Sequence, residues 1–174
     1  MIHSERGTDM AERSLEQRTA DLERIEAIKA LKYRYWRACD GKDPAAFRDC
    51  FVKGPASIDY GSLGTFEDAD ELARVFAEIA LSEVGGRYAV LDMHHGFHPV
   101  ITLIDEVSAS GAWTLRFRQL NRVDGTELLM TAEYDDAYVL EDGRWKMAKS
   151  HVRPLWTIRR PLPEGTEVTQ LGWP

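Results

Sequence analysis

Gly111-Ala112-Trp113-Thr114-Leu115-Arg116-Phe117-Arg118-Gln119-Leu120-Asn121-Arg122-Val123, then Asp124-Gly125, then Thr126-Glu127-Leu128-Leu129-Met130-Thr131-Ala132-Glu133-Tyr134 reads as two strands joined by a tight turn. Asp-Gly supplies the positive φ that a short hairpin turn requires. Along the first strand Trp113, Leu115 and Phe117 share one face, which Gln119 and Asn121 continue, while Arg116 and Arg118 take the other. Along the second, Met130, Ala132 and Tyr134 fall together, opposite Glu133 and Asp135. One face of the hairpin is thus apolar and lines an interior, and the other is solvated or meets a second subunit. Gln119 and Asn121 are candidates to hydrogen-bond a ligand in that interior.

Further strands flank this hairpin. Residues 94–104 precede it, the second strand extends over 126–140, and Glu141-Asp142-Gly143 turns the chain into residues 144–152. Upstream the period changes. Leu22, Ile25, Ile28, Ala30, Leu31, Tyr35 and Trp36 form one helical stripe from Ser14 onward, ended at Asp40-Gly41 with Gly41 as a left-handed cap. Asp43-Pro44 opens a short second helix, with Asp43 as N-cap and Pro44 at the first helical position. Residues 56–60 read as a strand and residues 67–80 as a third helix, with Leu72, Val75, Phe76 and Ile79 inward. Helices followed by a run of strands give an α+β fold: a cone-shaped, curved antiparallel or mixed sheet wrapped around the N-terminal helices, an α+β barrel with a small-molecule pocket. The domain is expected over residues 14–158, after a polar extension at 1–13 and before a tail at 159–174. Pro154, Pro161, Pro163 and Pro174 argue against a long regular element after residue 152. Trp156 and Trp173 need burial there, on the pocket mouth as a lid or on a neighbouring subunit.

A chain of 174 residues suits one domain. The net charge of −7 lacks the basic footprint of a nucleic-acid binder. No apolar run approaches the roughly 20 residues that span a bilayer. The opening Met1-Ile2-His3-Ser4-Glu5-Arg6 lacks the layout of a secretion signal, so the cytoplasm is the expected compartment. Cys39 and Cys50 are then expected to be free thiols.

Three of the five histidines lie within Met93-His94-His95-Gly96-Phe97-His98-Pro99, where a proton carrier at the head of a strand suggests acid–base chemistry. In an extended chain His94 and His98 point to one face, and His95 to the other with Phe97 and Ile101. No carboxylate or thiolate sits beside them at ligand spacing, so no metal is expected. His151 alternates in phase with Trp145 and Met147, towards the interior.

Tyr35-Trp36-Arg37-Ala38-Cys39-Asp40-Gly41-Lys42-Asp43 resembles the end of the first helix in the SnoaL-like, nuclear transport factor 2-like superfamily. Ile58-Asp59-Tyr60 and His94-His95-Gly96-Phe97 resemble its scytalone dehydratase branch, and Asp142-Gly143-Arg144-Trp145-Lys146-Met147-Ala148 is similar to the last hairpin of the family. The resemblance implies a cofactor-free lyase, in which Asp40 pairs with His94 while Tyr60 and Tyr35 polarise a carbonyl. A carboxylate at a helix C-terminus is itself unfavourable by about 0.3–1 kcal/mol, which a partner such as His94 would offset. The branch also has a second histidine on the middle strand, and Trp113-Thr114-Leu115-Arg116-Phe117-Arg118-Gln119-Leu120-Asn121 has none. Either His98 or His151 does that work, or the reaction differs.

The resulting expectation is a dehydratase for a cyclic or polyketide-like carbonyl compound. Its catalytic residues are His94, Asp40, Tyr60 and Tyr35, and its substrate is bound by His98, His151, Trp113, Phe117, Asn121 and Met130. No cofactor is expected, and the expected partners are a small hydrophobic ligand and further copies of the chain, in a dimer or trimer. The alternatives are an isomerase or polyketide cyclase using the same residues, a binding or assembly module without turnover, and the small subunit of a ring-hydroxylating dioxygenase.

Overall fold

Helix α1 (Leu15–Asp40) starts at a capping box. Ser14 Oγ accepts from the Gln17 N–H at 3.1 Å, and Gln17 Oε1 accepts from the Ser14 N–H at 2.9 Å. The computed structural model describes residues 14–171, so the extension at 1–13 and the placement of Trp173 lie outside the described residues. The buried stripe of α1 is Ile28, Leu31, Lys32, Tyr35, Trp36 and Cys39. Leu22 and Ala30, expected on it, are exposed. Gly41 is right-handed, and Lys42 takes the left-handed conformation instead, with φ 56°. Helix α2 (Pro44–Asp49) begins where Asp43 accepts from the Ala46 N–H at 2.9 Å. Helix α3 (Ala69–Ala80) packs on it through Phe47 and Phe76, whose rings stack 4.4 Å apart. Leu72 of α3 is buried, Val75 and Phe76 are half-buried, and Ile79 is exposed.

The sheet contains β1 (Ser57–Asp59), β2 (Thr65–Phe66), β5 (Val90–Leu103), β6 (Ser108–Asn121), β7 (Thr126–Glu141) and β8 (Arg144–Pro161). Strands β3 (Glu83–Val84) and β4 (Arg87–Tyr88) form a separate two-stranded hairpin. The order of the main sheet is β2-β1-β8-β7-β6-β5. Neighbours are antiparallel except β1 and β8, so the sheet is mixed, and it stays open with β2 and β5 as edges. Between β6 and β7 the loop has four residues, 122–125, rather than two. Between β7 and β8, Asp142 and Gly143 both have positive φ, which matches the twist of the flanking strands.

Strand β8 runs to Pro161, contrary to the expectation that the prolines end it near residue 152. Leu155 is an extra residue between the pairs Ala132–Pro154 and Thr131–Trp156, so Pro154 sits at a bulge. Beyond His151 no strand pairs with the other side of β8, so Pro154 removes little from the ladder. Two more bulges curl the sheet, one at Ala148 in β8 and one at His98-Pro99 in β5. No helix among the described residues is long and apolar enough to cross a membrane.

The core lies between α1 and the concave face of the sheet, and two constraints shape it. Gly96 faces the indole of Trp36, and a Cβ there would fall inside that ring. Deeper in, Lys32 Nζ lies 2.8 Å from Asp136 Oδ2, and neither side chain is exposed at all. The ammonium also sits 3.5 Å from the ring centroid of Tyr134. Tyr138 donates to Asp136 Oδ2 at 2.7 Å, and the Trp113 indole donates to Tyr138 at 2.9 Å. Burial lowers the pKa of Lys32, and Asp136 works against that shift.

Gly96→Ala should therefore destabilise the fold by about 1–3 kcal/mol or more in denaturant titrations. Lys32→Met, which strands a buried carboxylate, should cost roughly 3–5 kcal/mol, and adding Asp136→Asn should restore part of the loss.

Candidate active site

Asp40 is the last residue of α1, and its carboxylate lies against β5 at His94. The His94 backbone N–H donates to both carboxylate oxygens at 3.1 Å. His94 Nδ1 lies 2.5 Å from Asp40 Oδ1. A carboxylate accepts, so Nδ1 carries the hydrogen and Nε2 is the basic nitrogen. These donors offset the unfavourable position of a carboxylate at a helix C-terminus. The imidazole packs on Phe117 with ring centroids 4.7 Å apart, and its side chain keeps 15% of its surface exposed.

His94 stands in the wall of a chamber of about 310 Å³ between the helices and the sheet. Phe117, Leu115, Met130, Leu128 and Val152 supply the sheet side, and Phe47, Leu72, Phe76 and Ile79 the helix side. Tyr35, Tyr60 and Tyr134 share the lining. Tyr35 donates to the Tyr60 hydroxyl at 2.8 Å, and Tyr60 to Ser150 Oγ at 3.2 Å. Burial, reinforced by neighbouring phenols, raises Tyr35 and Tyr60 well above the usual tyrosine range, so both are neutral hydrogen-bond donors. Cys39 also lines the chamber, but burial and the nearby Asp40 carboxylate push its thiol well up, which leaves it a poor nucleophile. Burial pushes the thiol of Cys50 up to about 11.

Of the ten residues singled out from the sequence, the structure brings six together: Asp40 behind His94, and His94, Tyr35, Tyr60, Phe117 and Met130 on the wall. The other four lie elsewhere. His98 has φ 51° and sits in the β5 bulge, where it leaves the face that His94 occupies. That bulge also resets the alternation, so Ile101 packs inward rather than with His95. His151 points to the outer face, where Nε2 lies 2.8 Å from Ser57 Oγ. The bulge at Ala148 has reversed its phase relative to Trp145 and Met147, and Ser150 and Val152 turn inward instead. Asn121 is spent on the hairpin loop, where Oδ1 accepts from the Val123 and Asp124 N–H groups and Nδ2 donates to Asp124. Trp113 lies in the core outside the chamber, edge-on to Trp36. Among the residues that line the chamber, His94 is the only histidine.

Gln119, expected from the sequence to face a ligand, does line the chamber, and sequence reasoning missed the two charged residues that hold it, Asp92 and Lys42. Asp92 also lines the chamber, and Lys42 pairs with it at 3.1 Å. Asp92 precedes His94 by two residues and so shares its face, which is the signal that would have found it. Lys32 carried a similar signal, four residues from Ile28 and four from Trp36 in the apolar stripe.

Several solved structures share this architecture. A provisionally assigned scytalone dehydratase from Novosphingobium aromaticivorans superposes with a TM-score of 0.71 at 19% identity, over 87% of this chain and 99% of its own. The LinA-type3 hexachlorocyclohexane dehydrochlorinase of Novosphingobium barchaimii gives a TM-score of 0.72 at 14% identity, over 88% and 99% of the two chains. A type 2 LinA dehydrochlorinase gives 0.71 at 16%, over 89% and 99%. At such identities the likeness is one of fold. The sequence itself matches the model of the SnoaL-like domain over residues 20–151. The chain belongs to the SnoaL-like domain family.

Proposed function

We propose that the protein is a cofactor-independent lyase, a dehydratase acting on a cyclic or polyketide-like carbonyl compound. The observation that carries this reading is a histidine on a chamber wall whose Nδ1 is held by a carboxylate at 2.5 Å, which leaves Nε2 as its base. The chamber volume of about 310 Å³ suits a ligand of one or two rings. Its aromatic and aliphatic walls favour an apolar ring system.

His94 Nε2 removes a proton from the carbon next to the carbonyl. The C–H electrons form the enolate double bond, and Asp40 stabilises the imidazolium this creates. Tyr35 and Tyr60 turn their phenolic hydrogens, which without ligand go to Tyr60 and Ser150, to the enolate oxygen. The enolate then re-forms the carbonyl and expels the β-hydroxyl. That hydroxyl takes the proton from Nε2 and leaves as water, so His94 returns to its starting state. One histidine can serve both half-reactions because the proton it removes is the proton it returns. Structural relatives named as a provisionally assigned dehydratase and as two dehydrochlorinases are in keeping with a lyase reading.

The test uses 3-hydroxy-1-tetralone, whose dehydration yields 1-naphthol. The protein should form naphthol above the spontaneous rate and, in D2O, should place deuterium at C2 of 1-tetralone. His94→Ala should lower both rates about 10²–10⁴-fold while the thermal transition stays cooperative. Asp40→Asn should also lower both. Deuterium uptake without water loss would assign the isomerase or cyclase alternative instead, and no uptake with any ketone would leave a binding module.

A further inference from the structure

Asp92 and Gln119 face each other in register across β5 and β6, one inward step from the pair His94–Phe117. Gln119 is therefore a diagonal neighbour of His94 on the chamber side of the sheet. Its Nε2 donates to Asp92 Oδ1 at 2.9 Å, and Asp92 Oδ2 receives Lys42 Nζ at 3.1 Å. The side chains of Lys42 and Asp92 keep only 4% and 11% of their surface exposed. Lys42 reaches this position from a left-handed backbone, a conformation that costs a non-glycine residue energy. The array fixes the orientation of the amide. A carboxylate paired with an ammonium has no hydrogen to give, so the NH2 group of Gln119 must face it and Oε1 must turn away. Among the described residues no hydrogen bond reaches Oε1.

We infer that Gln119 Oε1 is an acceptor subsite for the departing group of the substrate, and that it selects carbonyl compounds whose β-substituent is a hydroxyl. This rests on the lyase reading of His94. The hydroxyl hydrogen donates to Oε1, which turns the oxygen lone pairs towards His94 Nε2–H. When the C–O bond breaks, the proton from Nε2 completes a water molecule that still donates to Oε1. A chloride or methoxy group in the same place has no hydrogen to give and leaves Oε1 unpaired. The amide itself exchanges no proton, so the subsite orients and selects while His94 carries the proton. Asp92 and Lys42 are positioning residues that keep the amide from turning over.

The experiment is a binding titration by ligand-observed NMR with 1-tetralone and 3-hydroxy-1-tetralone, run on the His94→Ala protein so that the alcohol is not dehydrated during the measurement. With Gln119 intact this protein should bind the hydroxylated ketone up to about tenfold more tightly, the gain expected of one neutral hydrogen bond. Gln119→Leu should reduce the ratio of the two Kd values to within about twofold. Asp92→Asn keeps the shape of the side chain but offers a donor to Oε1, so it should lower the ratio as well. It guards against a Gln119→Leu protein that folds poorly. A ratio near one with Gln119 and Asp92 intact, a ratio that survives both substitutions, or no binding of either ketone would overturn the subsite. Deuterium exchange into 1-tetralone reports separately on His94. Exchange without a binding preference sinks the subsite and spares the lyase reading, and a preference lost in both variants without any exchange does the reverse.

Discussion

The carboxylate of Asp40 receives three hydrogen bonds from one residue, two from the backbone N–H of His94 and one from its ring. That arrangement fixes several things together. It fastens the end of α1 to an edge strand of the sheet, and so sets how far the helix lies from the wall it faces. It holds the imidazole in one tautomer, with Nε2 as the nitrogen that can accept a proton. It also gives a carboxylate at the negative end of a helix the donors it needs. A ring held at both Nδ1 and the backbone loses little freedom when a ligand arrives, which is the sense in which such a site is prepared in advance.

Beneath the chamber, Lys32 and Asp136 form a second fixed point. A buried ion pair is weak evidence for stability, since its desolvation can exceed its attraction. Its effect here is on placement. The ammonium sits against the rings of Tyr134, Tyr35 and Trp36, and the carboxylate is reached by Tyr138, which Trp113 supports in turn. Shifting α1 along the sheet would separate these charges where neither is exposed to solvent. The pair thus acts against sliding of the helix, and the tyrosines of the chamber keep their mutual distances.

Much of this was legible in the sequence, and what was not has a common cause. The hairpin at 111–140, the Asp43-Pro44 helix start and the Asp142-Gly143 turn are local features, written in alternation and turn chemistry. The pairing of Asp40 with His94 entered through resemblance, because residues 54 apart carry no local signal of contact. His98 and His151 were misplaced because counting by twos presumes an unbroken strand. A bulge at His98-Pro99 and another at Ala148 each insert one step, and every residue beyond is reversed. The bulge at Leu155 lets Pro154 stay within a strand that composition alone would have ended. Asn121 was assigned to the chamber by phase, whereas its side chain closes the loop beside it, as asparagine does at turns. Lys32 and Asp92 were visible as polar residues in apolar phase, a signal that the sequence analysis did not use.

β5 is a 14-residue strand at the margin of the sheet, and such margins invite pairing with another chain. Three features of this strand make it a poor template. The N–H of His94 is already taken by Asp40, the bulge at His98 breaks the straight run, and Pro99 has no N–H to offer. The carboxylate that orients the imidazole therefore also closes a point at which amyloid-like stacking of copies would start. Selection for solubility and selection for turnover would then act on the same side chain, and a variant lacking it would be exposed to aggregation as well as to loss of chemistry.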